Sequence, residues 1–497
     1  MTEKLESVNP ATGDVVGVFQ VDGAAEVQAA VARAREAFGW WSALGFAERK
    51  KVLTQWKAVL ARRIGQLADL VHQETGKPHG DATLEIGLAV DHLGWAAGHA
   101  SRVLGRRWVR PGLLTANHLA SVEYLPLGVV GVIGPWNYPA FTPMASIVCA
   151  LAAGNTVVFK PSELAPGVGT WLADSLAEVV PNRHLLEVVL GGGETGAALC
   201  RSGVDKLAFT GSTETGRQVM AACAETLTPV LVEAGGKDPL LVDEDADLEA
   251  AAEAAVWGAF ANAGQTCAGV ERAYVHQKVY DEFLGLLVGR TRRLRPGADP
   301  TAHYGPLTLP GRAEVVRRHV EDALARGARA VVGGPQAVGD RYAEPTVLVD
   351  VPPDAAAITE ETFGPTLTVT KVVSMDQAVE LANGSRYGLG SAVFSRERGP
   401  ELARRLRTGM TSVNGVLTFA GVGALPFGGV GASGFGRVLG ADGLREFTYA
   451  KAVTRRWTRP LLDLSTFDRS ERADTTFVRV VTALHGRATQ LPRRRRR

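Results

Sequence analysis

The chain of 497 residues is 46% hydrophobic and 21% charged, with a formal net charge of +2. This is the make-up of a soluble globular protein with a large core and about two to four domains, and the near-balanced charge gives no global field to recruit nucleic acid. Its four cysteines, Cys149, Cys200, Cys223 and Cys267, show no CxxC spacing and no His cluster nearby, so no metal site and no disulfide framework is expected.

In chain order, residues 8–20 hold the turn Asn9-Pro10-Ala11-Thr12-Gly13-Asp14 between short extended pieces. Residues 24–75 then read as helices. Ala25, Val27, Ala30, Val31 and Ala34 fall at helical spacing, as do Val52, Trp56, Val59 and Leu60. A further helix is expected from about Ala82 to Gly105. None of these helices carries obvious chemistry, and they read as scaffold.

From residue 107 to Tyr124 the alternation of Trp108, Leu113, Leu114 and Val122 with polar or turn residues predicts a β-ribbon. Gly128 to Gly134 is a buried parallel-type strand that ends in Pro135-Trp136-Asn137-Tyr138-Pro139. An apolar helix follows, then a second strand, Asn155 to Glu163, ending in charges, then a helix and a third strand, Leu185 to Leu190. Strand–helix alternation with charged or glycine-rich strand ends indicates a doubly wound α/β sheet, which binds ligands off the carboxyl ends of its strands.

The third strand opens into Gly191-Gly192-Gly193-Glu194-Thr195-Gly196, a formal GxGxxG. The acidic residue expected at the end of the next strand is missing. That strand, Lys206 to Phe209, ends in Thr210-Gly211-Ser212-Thr213 before a helix, and Gly211 and Ser212 offer amides and a hydroxyl to an anion. Pyrophosphate is expected there, with an ordinary helix cap as the plain reading of both turns. Val230-Leu231-Val232 ends in Glu233-Ala234-Gly235-Gly236-Lys237. Glu233 is either a solvated loop carboxylate or a general base.

Cys267 lies in Ala261-Asn262-Ala263-Gly264-Gln265-Thr266-Cys267-Ala268-Gly269, after the apolar run Ala250 to Phe260 and before the strand-like Ala273 to His276. A lone cysteine is by default a small buried hydrophobe. Glycines at 264 and 269 permit a tight turn between two buried elements, which would hold a nucleophilic thiol rigidly toward a cavity.

The ordered set PWNYP, KPSE, FTGS, VEAGGK, GQTC, EETFGP and PFGG resembles the NAD(P)-dependent aldehyde dehydrogenase superfamily over about residues 8 to 458. The resemblance implies an α/β fold with a Rossmann-like cofactor domain (1–106 and 127–234), an α/β catalytic domain (235–445) and a β-flap oligomerisation element (107–126 and 446–458). A basic tail, 459–497, lies outside that pattern. It also implies Cys267 as nucleophile, Glu233 as base and Asn137 as oxyanion donor. Trp136, Lys160, Glu163, Gly211, Ser212, Glu361 and Phe363 would meet the cofactor, with NAD expected and NADP as the alternative. The thiolate would attack the aldehyde carbon, and donors at Asn137 and the Cys267 N–H would meet the oxyanion. Hydride loss would leave a thioester, which water activated by Glu233 hydrolyses to the acid.

Three positions depart from the family pattern. Ala234 stands where many members have Leu, Gly431 where many have Lys, and Val438 where many have Glu. Val438 argues against a proton relay through that position. The aldehyde tunnel is expected to be lined by Tyr138, Phe141, Thr142 and Ala145, with Ala261, Phe419 and Phe427. Ala145 and Ala261 replace both the arginines of succinate-semialdehyde members and the bulky aromatics of acetaldehyde-type members. The expected substrate is an apolar or aromatic aldehyde of medium to large size, with a semialdehyde as the alternative. From other classes, a cysteine hydrolase would need a His partner, and an inactive binding homologue would have little use for the intact Asn137, Glu233 and Cys267.

Beyond residue 278, helix patterns at about 278–293, 311–327, 375–383 and 399–407 alternate with apolar segments such as Ala330 to Val332, Leu367 to Val373 and Ala392 to Phe394. The flap segments would pair across subunits in a homodimer or homotetramer. In the tail, Phe477, Val480, Val481 and Leu484 fall on one helical face and Arg493 to Arg497 form a polybasic end. The tail is expected as a solvated end that frays; the alternative is a helix docked on the neighbouring subunit with the arginines touching an anionic surface, and a peripheral membrane contact through the basic tail is the lesser option. Without an apolar signal core or a bilayer-spanning run, and with sparse cysteines, a cytoplasmic protein is expected.

Overall fold

A computed structural model describes residues 3–460, 462 and 464–486. Two compact units emerge, one of Met1–Gly105 with Leu125–Tyr449 and one of Arg106–Tyr124 with Ala450–Arg497.

The first unit begins with an antiparallel pair, β1 (Lys4–Val8) and β2 (Val15–Gln20). Four helices follow: α1 (Ala24–Ala43), α2 (Phe46–Arg62), α3 (Ile64–Thr75) and α4 (His79–Leu104). The apolar positions Val27, Ala30, Val31 and Ala34 of α1, and Leu53, Trp56 and Leu60 of α2, are the buried ones, as their spacing requires. The next strands, β3 (Arg107–Val109) and β4 (His118–Pro126), pair antiparallel.

The chain then builds β5 (Val129–Ile133), α5 (Phe141–Ala153), β6 (Thr156–Lys160), α6 (Pro166–Ala177), β7 (Leu186–Val188), α7 (Gly193–Arg201), β8 (Lys206–Gly211), α8 (Thr213–Ala224) and β9 (Val230–Ala234). These five strands are parallel, and β5 and β6 are buried along almost their whole length. An unbroken Val-rich run is what two covered sheet faces demand. The strand order reverses at β5, with β6 and β7 on one side of it and β8 and β9 on the other, so a crevice opens beyond the carboxyl ends of these strands.

A second sheet follows: β10 (Asp238–Val242), α9 (Leu248–Phe260), β11 (Val270–His276), α10 (Tyr280–Thr291), α11 (Arg312–Ala325), β12 (Arg329–Val332), β13 (Thr346–Val349), α12 (Ala356–Thr359), β14 (Thr366–Val372), α13 (Met375–Asn383), β15 (Ala392–Phe394), α14 (Gly399–Arg405) and β16 (Ser412–Val413). Its order is β12-β13-β14-β11-β10-β15-β16, all parallel except the edge strand β12. A short return strand, β17 (Gly434–Phe435), adds antiparallel to β9 and sets Gly434 opposite Glu233. After α15 (Gly440–Glu446) comes β18 (Thr448–Arg456), which joins β4 and β3 in a three-stranded sheet. Beyond it lies α16 (Glu471–His485), so part of the described tail is helical; the arginines 493–497 lie outside the described residues.

Candidate active site

The Cys267 turn begins where α9 ends. Asn262 (φ 54°), Ala263 (φ 57°) and Gly264 (φ 71°) are all left-handed. Such a run is costly for side-chain-bearing residues and persists only where its surroundings over-determine it. A Cβ at residue 264 would lie 2.2 Å from the Gly364 carbonyl oxygen, so only glycine fits. Gln265 pins the turn: its Nε2 donates to the carbonyls of Asn262 (3.0 Å) and Pro306 (3.1 Å), and its Oε1 accepts from the Thr308 N–H (2.8 Å). Cys267 is left half-buried between this pinned turn and β11.

Asn137 follows β5. Its Nδ2 donates to the Gln265 carbonyl at 3.0 Å, which spends one amide hydrogen and leaves the other uncommitted. Its own carbonyl accepts from Lys77 Nζ (2.7 Å) and Asn262 Nδ2 (3.1 Å). Tyr138 shares a hydrogen bond with Thr266 Oγ1 at 2.9 Å. The Asn137 segment and the cysteine turn are thus fastened to one another by three hydrogen bonds.

Glu233 is only 3% exposed, which overturns its reading as a solvated loop residue. Its backbone pairs with Gly434 of β17. Thr210 Oγ1 donates to Oε2 at 3.4 Å, and Oε1 is buried without a partner. Burial pushes its carboxyl up to about 7, so near neutral pH it exists in both forms. The Cys267 thiol is also pushed well up, first by burial and then by the charges of Glu233, Asp238 and Glu361. A carboxyl poised near 7 with an unfilled acceptor oxygen suits proton abstraction from a water.

Cys267 and Glu233 lie in the wall of one apolar cavity of about 900 Å³ atom-free space, its open mouth included. Of the expected wall residues Tyr138, Phe141, Thr142, Ala145, Ala261 and Phe427 line it. Tyr138 does so from the segment before α5, since the helix starts only at Phe141. Phe419 is a correction: it stacks tilted against Phe427 at 6.1 Å and backs that ring instead of lining the cavity.

The larger correction is α4, which is wall and not merely scaffold. Asp81, Leu84, Glu85 and Leu88 fall at three- and four-residue spacing on one face of it and all border the cavity, joined by Trp257, Leu417, Ala420 and Val438. Leu84 (51% exposed) and Trp257 (46%) mark the mouth. An apolar helix face has the same periodicity whether it meets core or cavity, so the pattern of α4 held no sign of this role. The ionisable neighbours besides the cysteine and tyrosine are Asp81, Glu85 and Glu233; no Lys, Arg or His lines the cavity among the described residues.

A second cleft lies beyond the strand ends of β5, β6 and β8. Trp136, Lys160, Ser162, Glu163, Gly211, Ser212 and Thr215 border it, together with Gly192, Gly193 and Gly196 of the GxGxxG turn. Both glycine turns therefore face one space. Ser212 caps α8 by accepting from the Thr215 N–H at 3.1 Å. Lys160 is buried and donates to the Pro161 carbonyl at 2.9 Å, while Glu163 is about half exposed and 3.8 Å from that ammonium. A helix N-terminus for phosphates and a free carboxylate for ribose hydroxyls form a donor set that fits a dinucleotide.

Trp136 meets Phe363 edge-on at 5.7 Å. The Phe363 loop is held by Glu271, whose carboxylate accepts from the N–H groups of Thr362 (2.9 Å) and Phe363 (3.0 Å) and pairs with the buried Lys237. Glu361 accepts from the Gly236 N–H at 3.1 Å, and burial followed by the Glu271 charge pushes it up to about 8. A Cβ at residue 235 would lie 2.0 Å from Glu361 Oε1, which explains a glycine at that position. Lys77, Glu85, Lys237 and Glu271 were not legible as site residues, because their partners lie far away in sequence.

A family model described as "Aldehyde dehydrogenase family" matches residues 1–453. The chain belongs to the aldehyde dehydrogenase family. The 4,4'-diapolycopene aldehyde oxidase of Methylomonas sp is 38% identical over 497 residues, which covers 99% of this chain and 93% of that protein. A glutarate-semialdehyde dehydrogenase of Pseudomonas aeruginosa is 37% identical over 82% of this chain and 85% of its own length. The crystal structure of PnpE in complex with nicotinamide adenine dinucleotide superposes with a TM-score of 0.87 at 34% identity, covering 93% of this chain and 96% of that one. This aldehyde dehydrogenase has the fold and reaction class that its ordered motifs imply, the oxidation of an aldehyde with NAD(P).

Proposed function

We propose that the enzyme oxidises an apolar or aromatic aldehyde of medium to large size to its carboxylic acid, with Cys267 as nucleophile, Glu233 as base and Asn137 as oxyanion donor. The supporting observation is the cavity. The thiol sits in an apolar pocket whose charged neighbours are acidic, and Ala145 and Ala261 leave it without a cation or a bulky plug. A semialdehyde carboxylate would find no guanidinium partner there and would be repelled by Asp81 and Glu233. Among the relatives, the diapolycopene aldehyde oxidase fits this reading better than the glutarate-semialdehyde dehydrogenase. The lack of a histidine in the described wall also disfavours a cysteine hydrolase.

The chain's own groups divide the work. The Cys267 sulfur bonds to the aldehyde carbon as its proton passes to Glu233 or solvent. The free Asn137 amide hydrogen and the Cys267 N–H meet the oxygen as charge develops on it. NAD(P), held in the second cleft, would supply the hydride acceptor needed for the thiohemiacetal to become a thioester. Glu233 then takes a proton from water, hydroxide adds to the thioester carbon, and the C–S bond breaks to release acid and thiolate. Val438, an apolar wall residue, offers no carboxyl for a relay through that position.

For the cofactor, Trp136, Lys160, Glu163, Gly211 and Ser212 would hold the adenosine and phosphates, and Glu361 and Phe363 the nicotinamide ribose. Glu163 favours NAD over NADP, since its carboxylate would repel a 2′-phosphate. The second unit would serve as the oligomerisation flap of a homodimer or homotetramer: Trp108, Val109, Leu113, Leu119, Val453 and Trp457 all expose apolar surface there. Four free thiols suit a reducing compartment, and we place the enzyme in the cytoplasm. The deciding assay compares kcat/KM for acetaldehyde, succinate semialdehyde, benzaldehyde and a long-chain aldehyde. The last two should lead, and a lead for succinate semialdehyde would sink the substrate reading.

A further inference from the structure

The loop from Glu360 to Phe363 is strained and is held on several sides. Phe363 has a left-handed φ of 50°, which is costly for a bulky side chain and persists only where the surroundings over-determine it. From β11, Glu271 accepts the N–H groups of Thr362 and Phe363. From α11, the Arg312 guanidinium lies 5.6 Å from the centre of the Phe363 ring and donates to the Thr362 carbonyl at 3.4 Å. A Cβ at residue 364 would lie 2.3 Å from Val316 Cγ2, so the loop rests directly on that helix.

His319 interrupts the buried apolar stripe of α11, which is otherwise Ala313, Val316, Val320 and Ala323. A ring buried there is costly unless its nitrogens find partners. Nδ1 lies 3.0 Å from Thr362 Oγ1. Nε2 lies 2.9 Å from an Arg318 nitrogen, which also donates to Glu360 Oε2 at 2.7 Å; that oxygen is 3.3 Å from Nε2, with the guanidinium shared between the two. Burial, together with the Lys237 and Arg318 charges, pushes the ring down to about 4, so it is neutral near neutral pH. A neutral imidazole has one donor and one acceptor, whereas a guanidinium only donates. Nε2 therefore accepts from Arg318, and Nδ1–H donates to Thr362 Oγ1, which also accepts from Lys237 Nζ at 3.1 Å.

We propose that His319 is a positioning residue for the cofactor: through residues 360 and 362 it fixes Glu361 and Phe363 against the nicotinamide ribose, a role that rests on the assignment proposed above for those two residues. Glu361 accepts from the Gly236 N–H at 3.1 Å, and Lys237 reaches Thr362 from the same turn. Loop and turn are thus joined at neighbouring residues, and His319 closes the bracket from the helix side. Hydride transfer needs the nicotinamide ring aligned closely over the reacting carbon, so a loosened support costs rate there. The sulfur chemistry of Cys267 does not use the cofactor and is spared.

The test separates these two steps in the full-length enzyme. With the best aldehyde of the panel at saturation, His319→Leu should lower kcat/KM for NAD by about 10- to 100-fold. Hydrolysis of p-nitrophenyl acetate without cofactor needs only acylation and deacylation of Cys267, and should stay within about twofold of the wild type. His319→Asn keeps a donor near the place of Nδ1 and should recover most of the loss. His319→Gln, whose amide falls near the place of Nε2, should not. If His319→Leu fails to fold, Thr362→Val carries the test: nearly isosteric, it removes the hydroxyl that accepts from His319 and should show the same split. Equal losses in both assays, an unchanged kcat/KM for NAD, or rescue by Gln as full as by Asn would overturn the proposal. Glu361→Gln is the reference. If it too leaves kcat/KM for NAD unchanged, the cofactor role of the loop falls and the proposal with it; if it lowers kcat/KM while His319→Leu does not, only the positioning role falls.

Discussion

Lys77 and Glu85 form an ion pair of 2.5 Å with both side chains fully buried, and the pair sets the catalytic segment. The ammonium donates to the Asn137 carbonyl at 2.7 Å and lies 4.0 Å above the Tyr138 ring. The other carboxylate oxygen of Glu85 accepts from the N–H groups of Ala140 (2.8 Å) and Phe141 (3.1 Å) where α5 begins. One buried pair thus positions the proposed oxyanion donor, a cavity wall residue and a helix start.

Removing one partner should therefore be costly. Lys77→Met leaves a buried carboxylate uncompensated and should cost about 3–5 kcal/mol in chemical denaturation. Lys77→Met combined with Glu85→Leu should cost less than the two single changes added together. Strict additivity would mean that the pair is not coupled.

Cys267→Ala should abolish turnover. Glu233→Gln should still release a first equivalent of reduced cofactor, then turn over about 10²–10⁴-fold more slowly. Full steady-state activity in the cysteine variant would refute its role, and so would a missing burst with the Gln variant for Glu233.

The pH profile follows from the raised Glu233 carboxyl. It is neutral and unable to take a proton below about 7, and ionised above it. Deacylation should rise about tenfold per unit on the acid side and level off above neutrality. In Glu233→Gln that limb should vanish. Its persistence would assign the ionisation to another group.

Cofactor choice can be shifted at Glu163. The wild type should give the higher kcat/KM with NAD. Glu163→Gln removes an exposed charge and should raise kcat/KM for NADP by about two- to fivefold. An NADP preference in the wild type would refute the argument from this carboxylate.

Ala145→Arg should place a guanidinium in the tunnel and raise kcat/KM for succinate semialdehyde by about tenfold or more, at the expense of benzaldehyde. Gly264→Ala should do harm everywhere, because a Cβ there meets the Gly364 carbonyl and φ is +71°. A loss of at least about 1–3 kcal/mol in stability is expected, with loss of activity.

The residues themselves determined the parallel strands, the ordered motifs and the reaction class. Val129–Ile133 and Thr156–Lys160 are short apolar runs with turn signals at their ends, a local signal that folding does not alter. Motif order likewise needs no coordinates to be read. Tertiary structure decided what periodicity leaves open. The apolar face of α4 looks alike whether it packs against core or lines a cavity, and only the fold brings Leu84, Leu88 and Trp257 to the wall of one cavity. Glu233 reads as a loop residue along the chain, whereas in the fold it is buried, and burial is what pushes its carboxyl to about 7. Lys77 and Asn137 are sixty residues apart, so their hydrogen bond has no signature along the chain. Local sequence carries propensity and chemical type, whereas desolvation and long-range pairing arise only when distant segments meet.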